Sequence, residues 1–211
     1  MYPISPPRRL AGGFTLIESM VGLVVLGILL AVGVPQMTGW LASTRATGAA
    51  QFYADGFAQA RNLAMTHNSQ SRLVFAPGAN GQPGWQIDVC LRNSDNPCTD
   101  GSNDWSTATT VAKGATGPTA DYRSLVRSAD TLPPTTMLTI TLDPADDDAV
   151  YFTPLGWIDA GQQNQVRRVD LAPAGTLVGE FKASAVVLTL GGMAVTCVPG
   201  AAPGDSRRCP Q

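Results

Sequence analysis

Hydrophobic and polar positions divide the chain into three regimes. From Gly12 to Gly39 almost every position is apolar, Glu18 is the one charge, and no further charged residue follows until Arg45. A run of that length crosses a bilayer core of about 30 Å as a helix. Beyond Trp40 the apolar positions become spaced, at Leu41, Ala49, Phe52, Tyr53, Phe57, Ala60, Leu63 and Ala64. Steps of three and four dominate, which predicts an amphipathic helical half lying on a folded domain. One helix is therefore expected over 14–66, with Pro35 as a kink point and Gly39, Gly48 and Gly56 weakening it locally. Phe52, Tyr53 and Phe57 read as core.

After Ser71 the period falls to two. Strands are expected at 72–75, 84–90, 122–126, 136–142, 150–152, 166–171 and 185–190, with a return strand over 193–198. Pro77–Pro83, with Asn80-Gly81, reads as a hairpin loop, Asp143–Asp148 as an acidic turn and Gly191-Gly192 as a tight hairpin turn.

The apolar run is too long for a secretory signal, whose core spans roughly 7–15 residues and is followed by a small-residue cleavage site. Here the small pair, Gly12-Gly13, comes before the run. Arg8 and Arg9 precede it and place that flank on the cytoplasmic side. A plain anchor has no use for Glu18, because an unpaired carboxylate in hydrocarbon costs about 2.5 kcal/mol or more.

Composition narrows the rest. Of 211 residues, about 150 lie beyond leader and anchor, enough for one domain with a real core. The net charge is −2, and −4 without Arg8 and Arg9, so no global pull toward nucleic acid exists. Cys90, Cys98, Cys197 and Cys209 contain no C-x-x-C pair, and behind a membrane anchor they read as periplasmic disulfides. Of three possible pairings, Cys90–Cys98 with Cys197–Cys209 is favoured because each closes a short loop. His67, the single histidine, reads as a helix-end cation rather than a ligand. Asp95, Asp100 and Asp104 gather in one loop, but their spacing fails the EF-hand pattern. No nucleophile elbow, phosphate loop or metal-ligand cluster appears, so no cofactor, no metal and no enzyme are expected.

At Gly13-Phe14-Thr15-Leu16-Ile17-Glu18, followed by the apolar helix and Pro35, the chain resembles the type IV pilin-like proteins. The resemblance implies cleavage between Gly13 and Phe14 by prepilin peptidase and N-methylation of Phe14. It implies that Glu18 pairs with the free amino terminus of a neighbouring subunit. A second likeness lies at Ala60-Arg61-Asn62-Leu63-Ala64-Met65-Thr66-His67-Asn68, an Ala-Arg-x-x-Ala-x-x-x-Asn pattern similar to the helix end of the FimT/GspH minor pilins. Val150-Tyr151-Phe152 followed by Pro154-Leu155-Gly156 resembles a further element of that group.

The fold class so implied is α+β, a long N-terminal helix packed on a C-terminal antiparallel β-sheet domain. The domain division is a leader at 1–13, a transmembrane and filament-core helix at 14–40, an amphipathic helix at 41–68 and a β-rich domain at 69–211. The function implied is that of a minor type IV pilin, in the inner membrane with its domain in the periplasm and then in a pilus or its initiating tip. Its partners would be other pilins, prepilin peptidase and the inner-membrane assembly platform. A type II secretion pseudopilin shares this plan. DNA binding for natural transformation is a further alternative. Some FimT-type pilins bind DNA through Gly-Arg-x-Arg in the C-terminal hairpin, but the matching residues here are Gly192-Met193-Ala194-Val195. Arg207 and Arg208, or Arg167 and Arg168, are the substitute cations.

Overall fold

The computed structural model describes residue 13 and residues 15–92, 98–99, 104–117 and 120–210. It has one long N-terminal helix and a C-terminal antiparallel β domain. Two compact units divide between Gly39 and Trp40.

Helix α1 runs Leu16–Thr66. In its first part the large apolar side chains from Leu16 to Val34 are all exposed. Left in water, the thirteen Leu, Ile, Val and Met side chains of that stretch would forgo roughly 20–40 kcal/mol of burial. That exceeds the few kcal/mol that Glu18 costs in hydrocarbon, so the segment as a whole favours an apolar surrounding.

In the second unit the helix turns a face of small residues to the domain. Ala42, Ala46, Ala49, Ala50, Ala60 and Ala64 are buried, with Tyr53 and Phe57 between them. Leu41, expected on this inner face, is 43 % exposed instead. Leu41 lies one position, about 100° of helix, off the line of Ala42, Ala46 and Ala49. Further along the approach is close: a Cβ on Gly56 would stand 2.9 Å from the Trp85 ring. The indole Nε1 of Trp85 donates to the Phe52 carbonyl at 3.2 Å. Glycine inside a helix costs about 1 kcal/mol relative to alanine, and the seating of Trp85 against the backbone explains it here.

The strands are β1 (Gln70–Pro77), β2 (Pro83–Cys90), β3 (Leu125–Arg127), β4 (Leu138–Asp143), β5 (Ala149–Phe152), β6 (Arg168–Pro173), β7 (Ser184–Leu188) and β8 (Ala194–Cys197). They form two four-stranded sheets, β3-β2-β1-β5 and β4-β6-β7-β8, paired antiparallel throughout. β1 and β2 make a full hairpin, Gln70 opposite Cys90 and Pro77 opposite Pro83. The alternation of β1 sends Leu73 and Phe75 into the core with Tyr53, Phe57, Val150 and Val186. Both sheets thus share one core with the second half of α1. The Tyr53 hydroxyl donates to the Pro83 carbonyl at 2.8 Å, and burial pushes this phenol's pKa well up.

The other face of the first sheet holds a smaller cluster of Cys90, Cys98, Trp105 and Tyr151. Arg72 meets the buried Asp88 at 2.9 Å, and its guanidinium lies 4.6 Å from the centre of the Trp105 ring. A cation over an aromatic face and against a carboxylate is a satisfied arrangement for a part-buried arginine. Tyr122 is pushed up to about 12, by burial first and then by the negative charge of Asp88.

Disulfides join Cys90 to Cys98 and Cys197 to Cys209. The second holds the C-terminal tail, where the Val198 amide donates to the Arg207 carbonyl at 2.7 Å. Each short loop contributes roughly 2–3 kcal/mol in the chain-entropy account. Asp95 and Asp100 lie outside the described residues. Asp104 is buried, 3.4 Å from the Lys113 ammonium. His67 follows the helix end and packs its ring against Tyr122 at 4.9 Å.

Candidate functional site

Two places gather the residues that the sequence singles out. The first is the start of α1. The Thr15 hydroxyl accepts from the Glu18 amide at 3.3 Å, and the Thr15 carbonyl accepts from the Ser19 amide at 3.1 Å. Thr15 therefore caps the helix, satisfying one of its orphan donors. Glu18 falls in the first helical turn, where the helix dipole favours an anion. Its side chain is exposed, and among the described residues no cation pairs with it. Gly13 is exposed, and a Cβ there would meet nothing within 4 Å. Among the described residues nothing packs on that position. Phe14 lies outside the described residues.

Residues 8–34 match the family described as the prokaryotic N-terminal methylation motif. The chain carries a type IV pilin-like prepilin N-terminus. The motif covers Gly13, Glu18 and the apolar run as far as Val34, but none of the β domain. Among the described residues one helix, α1, is long and apolar enough to cross a membrane, which agrees with inner-membrane anchoring. No curated protein and no solved structure matches the chain.

The second place is the C-terminal end of α1, where the Ala-Arg-x-x-Ala-x-x-x-Asn positions each find a physical role. Ala60 and Ala64 are fully buried, and the Ala60 carbonyl accepts from the buried Ser71 hydroxyl at 2.7 Å. Asn68 takes a left-handed backbone, φ 44°, just past the helix, and the Ser69 amide closes back on the Ala64 carbonyl at 3.0 Å. That is how many helices satisfy their last carbonyls. Arg61 reaches across the fold. Its Nε donates to the Gly156 carbonyl at 3.1 Å and to the Gly191 carbonyl at 3.3 Å.

Those two glycines belong to twin turns. In Thr153-Pro154-Leu155-Gly156-Trp157 the Thr153 amide donates to the Trp157 carbonyl, and the Trp157 amide donates back to the Thr153 hydroxyl. In Thr189-Leu190-Gly191-Gly192-Met193 the Thr189 amide and the Met193 carbonyl and amide repeat the pattern. The Ile158 amide ties one turn to the other through the Leu190 carbonyl at 3.1 Å. The expected tight turn at Gly191-Gly192 forms, the Gly192 amide donating to the Thr189 carbonyl at 2.9 Å, and the Thr189 hydroxyl and Arg61 hold it. Gly156 and Gly192 both have positive φ, 77° and 73°. Arg61, Gly156 and Gly192 stand in three separate stretches of the sequence, and their convergence has no signal in the linear pattern.

Around these turns the exposed side chains are apolar: Leu155, Trp157, Leu190 and Met193. Of the cations considered for nucleic acid, Arg167 lies beside the base of the second turn, its carbonyl accepting from the Leu188 amide at 2.9 Å. Arg207 grips Asp205 through Nε and Nη2 at 3.2 and 3.0 Å and holds that carboxyl down at about 2. Arg168 is paired with Asp170 at 2.6 Å. Arg167 and Arg208 form no ion pair among the described residues. For Arg207 and Arg168, a phosphate would have to displace a carboxylate already in place.

Proposed function

We propose that the chain is a minor type IV pilin of the FimT/GspH kind, built into a filament or its initiating tip. The observation that carries this reading is two residues that nothing among the described residues explains: a carboxylate without a cation at the head of a membrane-length helix, and an exposed glycine five positions before it. Prepilin peptidase, cutting between Gly13 and Phe14, accounts for the glycine. The freed amino group of Phe14, N-methylated and presented by a neighbouring subunit, accounts for Glu18. A buried carboxylate is tolerable where a cation meets it.

In this reading residues 1–13 are the leader, 14–40 the membrane and filament-core segment, 41–68 the helix that seats the domain, and 69–211 the outward β domain in the periplasm. Other pilins and the inner-membrane assembly platform are the partners. The convergence of Arg61, Gly156 and Gly191 supports the FimT/GspH assignment, because the stretches that resemble that group form one junction.

Glu18→Ala tests the pairing. The variant is expected to be cut normally and to enter sheared filaments at least about a hundredfold less than the parent, since stranding a buried charge costs about 3 kcal/mol or more. Quantitative immunoblots of membrane and filament fractions measure it. Equal incorporation of variant and parent would remove the pairing role.

A further inference from the structure

The twin turns beside the end of α1 expose large apolar side chains that the junction beneath them does not use. Leu155 and Trp157 on the first turn, and Leu190 and Met193 on the second, are 59–73 % exposed. The turns lie against each other. A Cβ on Gly192 would stand 2.1 Å from the Gly156 carbonyl oxygen, and one on Gly156 would stand 2.8 Å from the sulfur of Met65 on α1. Met65 is itself 38 % exposed. The five side chains therefore share one face of the second unit.

That face is held in place before anything meets it. Arg61 Nε donates to a carbonyl in each turn. The Thr153 and Thr189 hydroxyls each accept from a backbone amide of their own turn. A surface already ordered loses little freedom on binding.

Size and charge say what covers it. At those exposures the five side chains present roughly 400–500 Å² of apolar surface. One side of a standard interface is about 800 Å², a little over half of it non-polar. The patch thus supplies the apolar part of one such side. Neither 153–157 nor 189–193 contains a charged residue, and Arg61 Nε is taken up by the two carbonyls. Lipid surfaces and nucleic acid both select for free cations, which these turns do not offer. A charge-free face, by contrast, meets no like-charge repulsion from a copy of itself. Self-pairing also needs a recess beside the protruding side chains. One of about 320 Å³ adjoins Met193, lined by Ala54, Ala58 and Gly192, with Asp55 and Asn62 as its polar groups.

We propose that this face is a self-association surface, on which two copies pair about a twofold axis, each setting Trp157 and Leu190 against the other's recess. The pairing uses the second unit alone and rests neither on the anchor nor on the filament reading. A twofold contact closes after two copies, whereas the head-to-tail contacts of a filament stay open.

Sedimentation equilibrium of the full chain in density-matched detergent tests it. The parent at micromolar concentration is expected at twice the chain mass, with no further growth as concentration rises. Leu190→Asp and Trp157→Asp are expected at the single-chain mass, since each strands a carboxylate in an apolar contact. Both side chains are exposed, so thermal unfolding of these variants should match the parent's. Val178→Asp, at an exposed apolar position near the opposite end of β7, should keep the paired mass. A parent at the single-chain mass overturns the proposal. A paired mass that survives both patch variants, or is lost equally in Val178→Asp, also overturns it. Mass that climbs past two copies contradicts the twofold axis.

Discussion

Gly13→Val is expected to accumulate as a membrane-bound precursor that keeps the residues before Phe14, with mature protein falling below detection. The expectation is sharp because residue 13 is exposed and, among the described residues, a side chain there meets no atom within 4 Å. Thermal unfolding of the β domain should therefore match that of the parent. Loss of processing without loss of stability isolates recognition by the peptidase. Normal processing of Gly13→Val would mean that the cut is made elsewhere.

Gly192→Val is expected to show the opposite pattern, with processing intact and the domain destabilised by about 3 kcal/mol or more in urea melts. Two costs add. The φ of 73° is a region that costs ordinary L-residues roughly 1–2 kcal/mol, and β-branched ones more. A Cβ would also stand 2.1 Å from the Gly156 carbonyl oxygen, which is backbone and already accepts from Arg61. Relief requires the twin turns to separate, and that frees Arg61 from both glycine carbonyls. Gly179→Ala is the control. Its φ of 91° is equally left-handed, but nothing lies within 4 Å of the added atom, so about 1 kcal/mol is expected. Equal losses in the two variants would assign the effect to backbone strain alone and leave the turn-to-turn junction without consequence.

What was legible in the sequence follows the range of the interactions. The apolar run, the lone Glu18 and the strands came through because their signals are local periods. The Ala60–Asn68 pattern was visible as a string, but its meaning was not, since Arg61 bonds to residues 95 and 130 positions away. The division into two sheets was equally hidden. Alternation marks β1 and β5 as strands without saying that β1 sits between β2 and β5. On α1 the spacing places Ala49, Ala60 and Ala64 inside, as they are, but Leu41 stands about 100° off the buried line that starts at Ala42. Arg207 stands out in the sequence as a cation, but Asp205, two residues away, holds it.

The central claim is that this chain is cut and modified at one bond so that a new amino terminus meets the carboxylate of another copy. Intact-mass and N-terminal fragment spectra of the mature chain, purified from membranes, test it most directly. The account predicts Phe14 as the first residue, bearing a methyl group on its nitrogen. A mature chain that begins anywhere else, or that retains residues 1–13, would contradict it.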